Sequence, residues 1–156
     1  MKYPIIAIED KSFDTTEPTV LYRTKLTIQI KNLKKHILDY TYCDSNGELY
    51  KIRNFQETNE EPKLGCNPFF YHKNFKIIVL EFSATGKELS ESSLRRIIRR
   101  NAEKIHFVKN ENDKIELFKE LDAAKTYREL IECIYAPEWT EEEEQLNREK
   151  QKHNKT

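Results

Sequence analysis

The chain has 156 residues, of which 37% are hydrophobic and 35% are charged, with 27 basic and 27 acidic side chains and a formal net charge of zero. This length and composition fit one packed domain and exclude a disordered linker, which would be poorer in aromatic and aliphatic residues. The balanced charge argues against a dedicated nucleic-acid-binding protein, because such proteins usually carry a basic excess that neutralises phosphates.

The three cysteines, Cys43, Cys66 and Cys133, are widely spaced. No pair has the two-residue spacing of a zinc knuckle or a redox motif, so we expect neither a disulfide framework nor a structural zinc site. The apolar run near the N-terminus is too short for a signal peptide, and no stretch reaches membrane-spanning length. These features predict a cytoplasmic protein with no metal and no cofactor.

The first half of the chain has the residue pattern of β-strands. Residues 5–8 form a short apolar run, and residues 25–31 alternate apolar and polar side chains, as a half-buried strand does. Between them lies an acidic loop that contains Glu9, Asp10, Asp14 and Glu17. We interpret this loop as solvated, with binding of a cation or a basic partner as the alternative.

A β-hairpin is predicted next, from residues 36–43 and 48–55 on either side of a turn that ends in Asn46-Gly47. The Asn-Gly pair favours a type I′ turn, in which both central residues have positive φ. The acidic start of this turn resembles a calcium loop, but the remaining ligands are missing, so we interpret it as a turn. Residues 75–82 then form a strand that is apolar on both faces, which is typical of a strand near the middle of a sheet.

The second half changes to helical periodicity. Ser90 is a predicted N-cap, and an aliphatic stripe follows it at Leu94, Ile97, Ile98, Ala102 and Ile105. After a turn or small strand at 106–108, a second helix is marked by Ile115, Leu117, Phe118 and Leu121, with Asp113 as its predicted cap.

A third helix begins at the capping box of Thr126 and Glu129 and ends before Pro137. Its predicted apolar stripe consists of Tyr127, Leu130, Ile131 and Ile134. Thr140 and Glu143 form another capping signature, and the tail beyond it is polar.

Strands followed by helices predict an α+β fold: an antiparallel, mostly meandering sheet from the N-terminal half, with the C-terminal helices packed on it. We assign residues 1–138 to a single α+β domain and residues 139–156 to a polar C-terminal helix with a frayed tail.

The most pointed functional signal is the arginine face, which we define as Arg95, Arg96, Arg99 and Arg100. On a helical wheel these residues lie opposite the aliphatic stripe, with Glu91 and Glu103 at pairing distance along the helix. A solvated face is the default interpretation. The functional alternatives are a protein partner with an acidic patch, since arginine binds carboxylates in a bidentate manner, and direct nucleic-acid binding.

A second candidate contact is the aromatic run Phe69, Phe70 and Tyr71. Three consecutive side chains of an extended segment cannot all point inward, so these residues either cover the sheet or anchor a partner.

No catalytic arrangement is evident. Cys66 and His72 are the nearest thiol and imidazole in sequence, but spacing along a loop does not set their geometry. The three glycines are too few and too scattered for a phosphate-binding loop. We therefore predict no enzymatic activity.

The hairpin "DSNGELYKI" (44–52), the segment "NPFFYHKNFKIIVLEF" (67–82) and the helix "AKTYRELIECIY" (124–135) together resemble the small immunity proteins of bacterial polymorphic-toxin and contact-dependent inhibition systems. The resemblance covers roughly residues 3–135, concerns architecture rather than a shared motif, and assigns no functional residue. It implies a single cytosolic domain that binds and blocks one toxin domain. Inhibitors of nuclease toxins are usually acidic, whereas this chain is neutral, so the resemblance does not imply a nuclease target.

The alternative is a nucleic-acid-binding, regulatory or structural module of a phage or mobile element that uses the arginine face. The sequence specifies neither the partner nor the oligomeric state.

Overall fold

The computed structural model describes residues 1–14, 19–29, 31, 33, 37–60 and 75–134. Its strands are β1 Ile5–Ala7, β2 Val20–Leu21, β3 Lys25–Gln29, β4 Thr41–Cys43, β5 Glu48–Glu57 and β6 Phe75–Glu88. Its α-helices are α1 Glu91–Arg100, α2 Glu111–Ala123 and α3 Tyr127–Glu132, and short 3-10 helices lie at Asp10–Asp14, Ile37–Asp39 and Ala102–Lys104. The predicted α+β fold is confirmed, whereas residues 139–156 lie outside the described residues.

The six strands form one antiparallel sheet in the order β2-β1-β4-β5-β6-β3. Strands β4, β5 and β6 follow one another as a meander, but β3 pairs with β6 at the far edge. The edge strands β2 and β3 are joined by residues 22–24 alone, a link that spans at most roughly 14 Å. Across a flat sheet the same strands would be about 24 Å apart, so the sheet must curl.

The two faces of the curled sheet bury different cores, because neighbouring residues of a strand point in opposite directions. On β1, Ile6 faces the helices, whereas Ile5 and Ala7 face the inside of the curl. The helix-side core includes Val20, Cys43, Leu94, Ile98, Leu117, Leu121, Leu130 and Ile131. The inner core includes Leu21, Ile28, Leu33, Ile37, Tyr40, Tyr42, Ile78 and Leu80.

Two strand predictions need correction. The segment predicted as a strand over 36–43 contains a 3-10 helix at Ile37–Asp39, and only Thr41–Cys43 pair in the sheet. Strand β6 is longer than predicted and lies next to the edge strand β3 rather than in the middle of the sheet. Its Ile78 and Leu80 are buried inside the curl, whereas Ile77 and Val79 on the opposite face are only half-buried.

The turn between β4 and β5 also differs from the predicted type I′ turn. The backbone N–H of Gly47 donates to Asp44 O (3.0 Å), and Gly47 has a φ of 83°. No non-glycine residue in the described ranges has positive φ, so Asn46 is not left-handed. The loop therefore corresponds to a type I turn followed by a left-handed glycine.

The Asp44 carboxylate accounts for the acidic start of this turn. It is buried and accepts backbone N–H bonds from Lys2, Asn46 and Glu48, each at 2.9 Å. Its oxygens thus accept hydrogen bonds within the turn, as the turn interpretation predicted, and they also bind the N-terminal segment at Lys2.

The helix starts follow from their caps. The Ser90 side chain accepts a hydrogen bond from Ser93 N (3.1 Å), which confirms the predicted start of α1. The side chain of Thr126 accepts from Glu129 N (3.1 Å), which confirms the start of α3. Helix α3 ends at Glu132, and Pro137 and Thr140 lie outside the described residues.

The predicted cap of α2 was wrong. Asn110 is the N-cap and accepts from Asp113 N (2.9 Å), while the Asp113 side chain accepts from Lys109 N (2.9 Å) within the first turn. Leu117 and Leu121, four residues apart, form the buried stripe of α2, whereas Ile115 is 48% exposed. The 106–108 segment contains no strand.

Candidate functional site

Helix α1 presents the arginine face on the side away from the core. Leu94 and Ile98 are fully buried against the sheet and the other helices, which places the arginines outside, as predicted. Their environments differ, however, and the face is not uniformly solvated.

Arg95 is bound to the end of helix α2. Its Nε donates to Leu121 O (3.0 Å) and its Nη2 donates to Ala124 O (2.9 Å). The last carbonyl groups of a helix lack partners within the helix and carry the negative end of its dipole. Arg95 therefore acts as a C-terminal cap of α2 and is only half-exposed.

Arg99 joins α1 to the side of α2. Its Nη1 lies 2.9 Å from Asp122 Oδ1, and its guanidinium carbon lies 4.4 Å from the centroid of the Phe118 ring. The ion pair and the cation–π contact both hold the arginine against α2.

Arg100 binds the acidic loop, which is distant from it in sequence. Its Nε and Nη2 both donate to Asp10 Oδ1, at 3.0 and 2.7 Å, and Asn101 Nδ2 donates to the same oxygen (2.9 Å). The hydrogen bonds from Asn101 and Arg100 lower the pKa of Asp10 below its ordinary value. Nearby, Lys104 Nζ lies 3.2 Å from Asp14 Oδ2.

The acidic loop thus forms ion pairs with Arg100 of the arginine face and with Lys104, which follows helix α1. Asp10 and Asp14 contact Arg100 and Lys104, so the basic partner considered for this loop is present in the same chain. Glu9 belongs elsewhere, because its Oε1 accepts from Thr41 N (2.7 Å). Glu17 lies outside the described residues.

The ion pairs predicted along α1 do not form. Glu103 pairs with Lys114 (2.9 Å) rather than with Arg99 or Arg100, and this contact lowers the pKa of Glu103. The guanidinium of Arg95 donates to α2 rather than to Glu91. In each case a group on another element provides the partner.

Arg96 is the remaining member of the arginine face. It is exposed, and it forms no ion pair or side-chain hydrogen bond with the other residues that the structure describes. An external carboxylate could therefore bind this guanidinium without displacing a contact to any of the described residues.

The other sequence candidates give no site. Phe69, Phe70, Tyr71, Cys66 and His72 lie outside the described residues, and the aromatic run stays a prediction. Across the described ranges, no group of three or more histidine, cysteine, aspartate or glutamate side chains is placed to hold a metal ion.

The two cysteines in the described ranges are poorly suited to nucleophilic chemistry. Burial raises the pKa of the Cys43 thiol to about 12 and that of Cys133 to about 11. A thiol with such a pKa carries little thiolate near neutral pH.

No protein-family model, curated protein or solved structure matches this chain. None of the helices in the described part of the chain has the length and apolar character needed to cross a membrane.

Sequence reasoning found the arginine face but missed its partners. Asp10 is 90 residues from Arg100, and Asp122 is 23 residues from Arg99. Helical spacing reports only neighbours on one helix, so these contacts had no local signal. The one usable hint was the match between an acidic loop and a basic helix in a chain of zero net charge.

Proposed function

We propose that this chain is a non-enzymatic binding protein that engages an acidic surface of a protein partner through Arg96 and the exposed edge of the arginine face. More specifically, we propose that it is an immunity protein that binds and neutralises a cognate bacterial toxin domain in the cytoplasm. The observation that carries the proposal is that the exposed Arg96 guanidinium pairs with no other residue that the structure describes, whereas Arg95, Arg99 and Arg100 on the same helix each bind a neighbouring element.

The rigid setting of Arg96 supports this function. Helix α1 is capped by Ser90, bound to α2 through Arg95 and Arg99, and bound to the acidic loop through Arg100. A side chain on a fixed helix loses less freedom on binding than one on a mobile loop. Arginine is also enriched among the residues that dominate protein–protein affinity.

The same contacts disfavour the nucleic-acid alternative. Arg99 and Arg100 already face carboxylates, and Arg95 faces backbone carbonyls. Fewer positive charges are then free to neutralise phosphates, which is the main source of non-specific affinity for nucleic acids. Phe69, Phe70 and Tyr71 remain a second proposed contact with the protein partner on sequence grounds.

The immunity proposal requires a toxin domain encoded beside the gene of this chain, and the test uses that domain. Calorimetric titration would compare the wild-type protein with Arg96→Glu and with a control, Arg53→Glu. Arg53 is on β5, its side chain is 73% exposed, and its contact with Glu81 is long at 3.5 Å. We expect Arg96→Glu to weaken binding about 30-fold or more, which corresponds to about 2 kcal/mol, and Arg53→Glu to have little effect.

A growth assay with co-expressed toxin domain should follow the same order, with protection reduced only by Arg96→Glu. Equal affinity of the wild-type protein and Arg96→Glu would contradict the proposed surface. Micromolar binding of non-specific DNA or RNA at physiological salt, with a salt dependence that weakens in Arg96→Glu, would favour the nucleic-acid module instead.

A further inference from the structure

Three exposed cations follow one another at four-residue spacing along α1 and beyond it: Arg96, Arg100 and Lys104, which we call the cation row. Arg96 and Arg100 are neighbours, because residues four apart on a helix lie on one face. Lys104 belongs to the 3-10 helix after α1 and lies beside Arg100, since both side chains bind the segment Asp10–Asp14. Basic side chains clustered along a helix are a common footprint for the phosphates of nucleic acids.

The acidic loop places a carboxylate on two of these three cations. Asp10 Oδ1 lies 2.7 Å from Arg100 Nη2, and Asp14 Oδ2 lies 3.2 Å from Lys104 Nζ. The two acidic side chains are 53% and 55% exposed, so each presents negative charge to solvent as well as to its cation. A polyanion that approaches the cation row therefore meets two carboxylates of the same sign.

The acidic loop is fixed in this position by the residues between the two carboxylates. Ser12 is fully buried, and its hydroxyl donates to Glu9 O (2.7 Å). Phe13 is 6% exposed and packs in the helix-side core, and the Thr19 hydroxyl donates to Ser12 O (3.0 Å). Moving the loop aside to free the two cations would expose Phe13 and break these hydrogen bonds. The carboxylates are thus a permanent part of this surface.

We propose that Asp10 and Asp14 are specificity-determining residues that exclude nucleic acid from the cation row and leave it accessible to a protein partner. A phosphate backbone carries negative charge throughout, so it is repelled at Arg100 and Lys104. A folded protein can instead place an acidic group on Arg96 and a basic group against the acidic loop. The inference rests on the proposed function and deepens it, because it specifies a partner surface in which acidic and basic groups stand side by side.

Neutralising both carboxylates tests this exclusion. Fluorescence anisotropy would compare the binding of a short non-specific DNA duplex to the wild-type protein and to Asp10→Asn combined with Asp14→Asn. Asparagine keeps a hydrogen-bond acceptor for each cation but carries no charge. Each cation freed to neutralise a phosphate steepens the dependence of log affinity on log salt by about 0.9, so we expect a change of up to about 1.8 and an affinity gain of roughly tenfold or more at about 50 mM salt.

Glu60→Gln combined with Glu81→Gln is the matched control. It removes the same two negative charges, and it also frees two cations from exposed ion pairs, Lys25 and Arg53, but these lie on the sheet. An equal gain in DNA affinity for the control and the test variant would show a general effect of net charge and would overturn the proposal.

Asp14→Asn alone keeps the test decisive if the double variant does not fold, because the Asp14 ion pair is exposed and its loss costs little stability. This variant should show about half of the change in salt dependence. Micromolar binding by the wild-type protein at physiological salt, or no gain in either variant, would contradict the exclusion. None of these outcomes involves the toxin domain, so they are distinct from a failure of Arg96→Glu to weaken toxin binding.

Discussion

Asp10 connects the two charged features of the sequence at the level of single residues. One of its carboxylate oxygens accepts hydrogen bonds from both Arg100 and Asn101, and Asn101 is only 1% exposed. The bonded carboxylate holds the end of α1 against the loop that follows β1. The contribution of this contact to the stability of the fold should depend on pH, because the hydrogen bonds require the ionised carboxylate of Asp10.

The direction in which stability changes with pH follows from the lowered pKa of Asp10. A carboxyl group whose folded-state pKa lies below its ordinary value of 3.8 stabilises the fold above that value. The stabilisation is lost as the pH falls through the folded-state pKa. We therefore expect Asp10→Asn to unfold more easily than the wild-type protein at pH 7, with the difference shrinking below pH 3.8.

Urea unfolding at neutral and acidic pH measures this difference. Asp122→Asn provides a control, since the Arg99 ion pair does not involve the acidic loop. A stability difference for Asp10→Asn that stays constant from pH 7 to pH 3 would contradict the assigned role of the carboxylate.

Among the secondary-structure elements, the β4–β5 turn and helix α3 depend on one another. Gly47 O accepts from Leu89 N (2.8 Å), and Leu89 O accepts from the Tyr127 hydroxyl (2.7 Å). A Cβ atom at Gly47 would lie 2.5 Å from Tyr127 Oη and 2.9 Å from Leu89 O. Gly47 is thus required both by its positive φ and by the close approach of α3.

Gly86 is a useful comparison, because it shares the positive φ of Gly47 but not the close approach of another element. It also has a positive φ, of 77°, but a Cβ there would meet no atom within 4 Å. Gly86→Ala should therefore cost about 1–2 kcal/mol from backbone strain alone. Gly47→Ala should lower the free energy of unfolding by more than this, because the Tyr127 ring must also move.

Thermal or chemical unfolding of the two variants measures the difference. Restored stability in Gly47→Ala combined with Tyr127→Ala, relative to the sum of the single changes, would confirm the steric coupling. Equal losses for Gly47→Ala and Gly86→Ala would show that α3 does not press on the turn.

Local elements of the fold were predictable from periodicity and capping. The alternation of residues 25–31 located β3, and the caps at Ser90 and Thr126 located the starts of α1 and α3. The 3-10 helix at Ile37–Asp39 was missed, because a short apolar run fits a strand and a turn of helix equally well.

At the scale of the whole molecule, the sequence patterns did not report which distant segments contact one another. The placement of β3 beside β6 and the resulting curl depend on pairing across about 50 residues, which no local pattern reports. The same limit applies to the arginine face. Its helical position was predictable. That three of its arginines bind other elements, whereas Arg96 binds none of the described residues, depends on the positions of α2 and the acidic loop.

We conclude that the arginine face mainly holds α1 against α2 and the acidic loop, and that Arg96 alone among its members pairs with none of the described residues. An alanine series at Arg95, Arg96, Arg99 and Arg100, measured as the free energy of unfolding in urea, tests this claim. Arg95→Ala should cost most, about 1–2 kcal/mol, because two carbonyls at the end of α2 lose their donor. Arg99→Ala and Arg100→Ala should cost less, since their ion pairs are exposed.

Arg96→Ala should change the free energy of unfolding by no more than about 0.5 kcal/mol, as expected for an exposed residue that pairs with none of the described residues. This ranking, with Arg95 at one end and Arg96 at the other, is the result that the structure predicts. Four equally small effects would mean a uniformly solvated helix face, and a loss at Arg96 as large as that at Arg95 would contradict the claim outright.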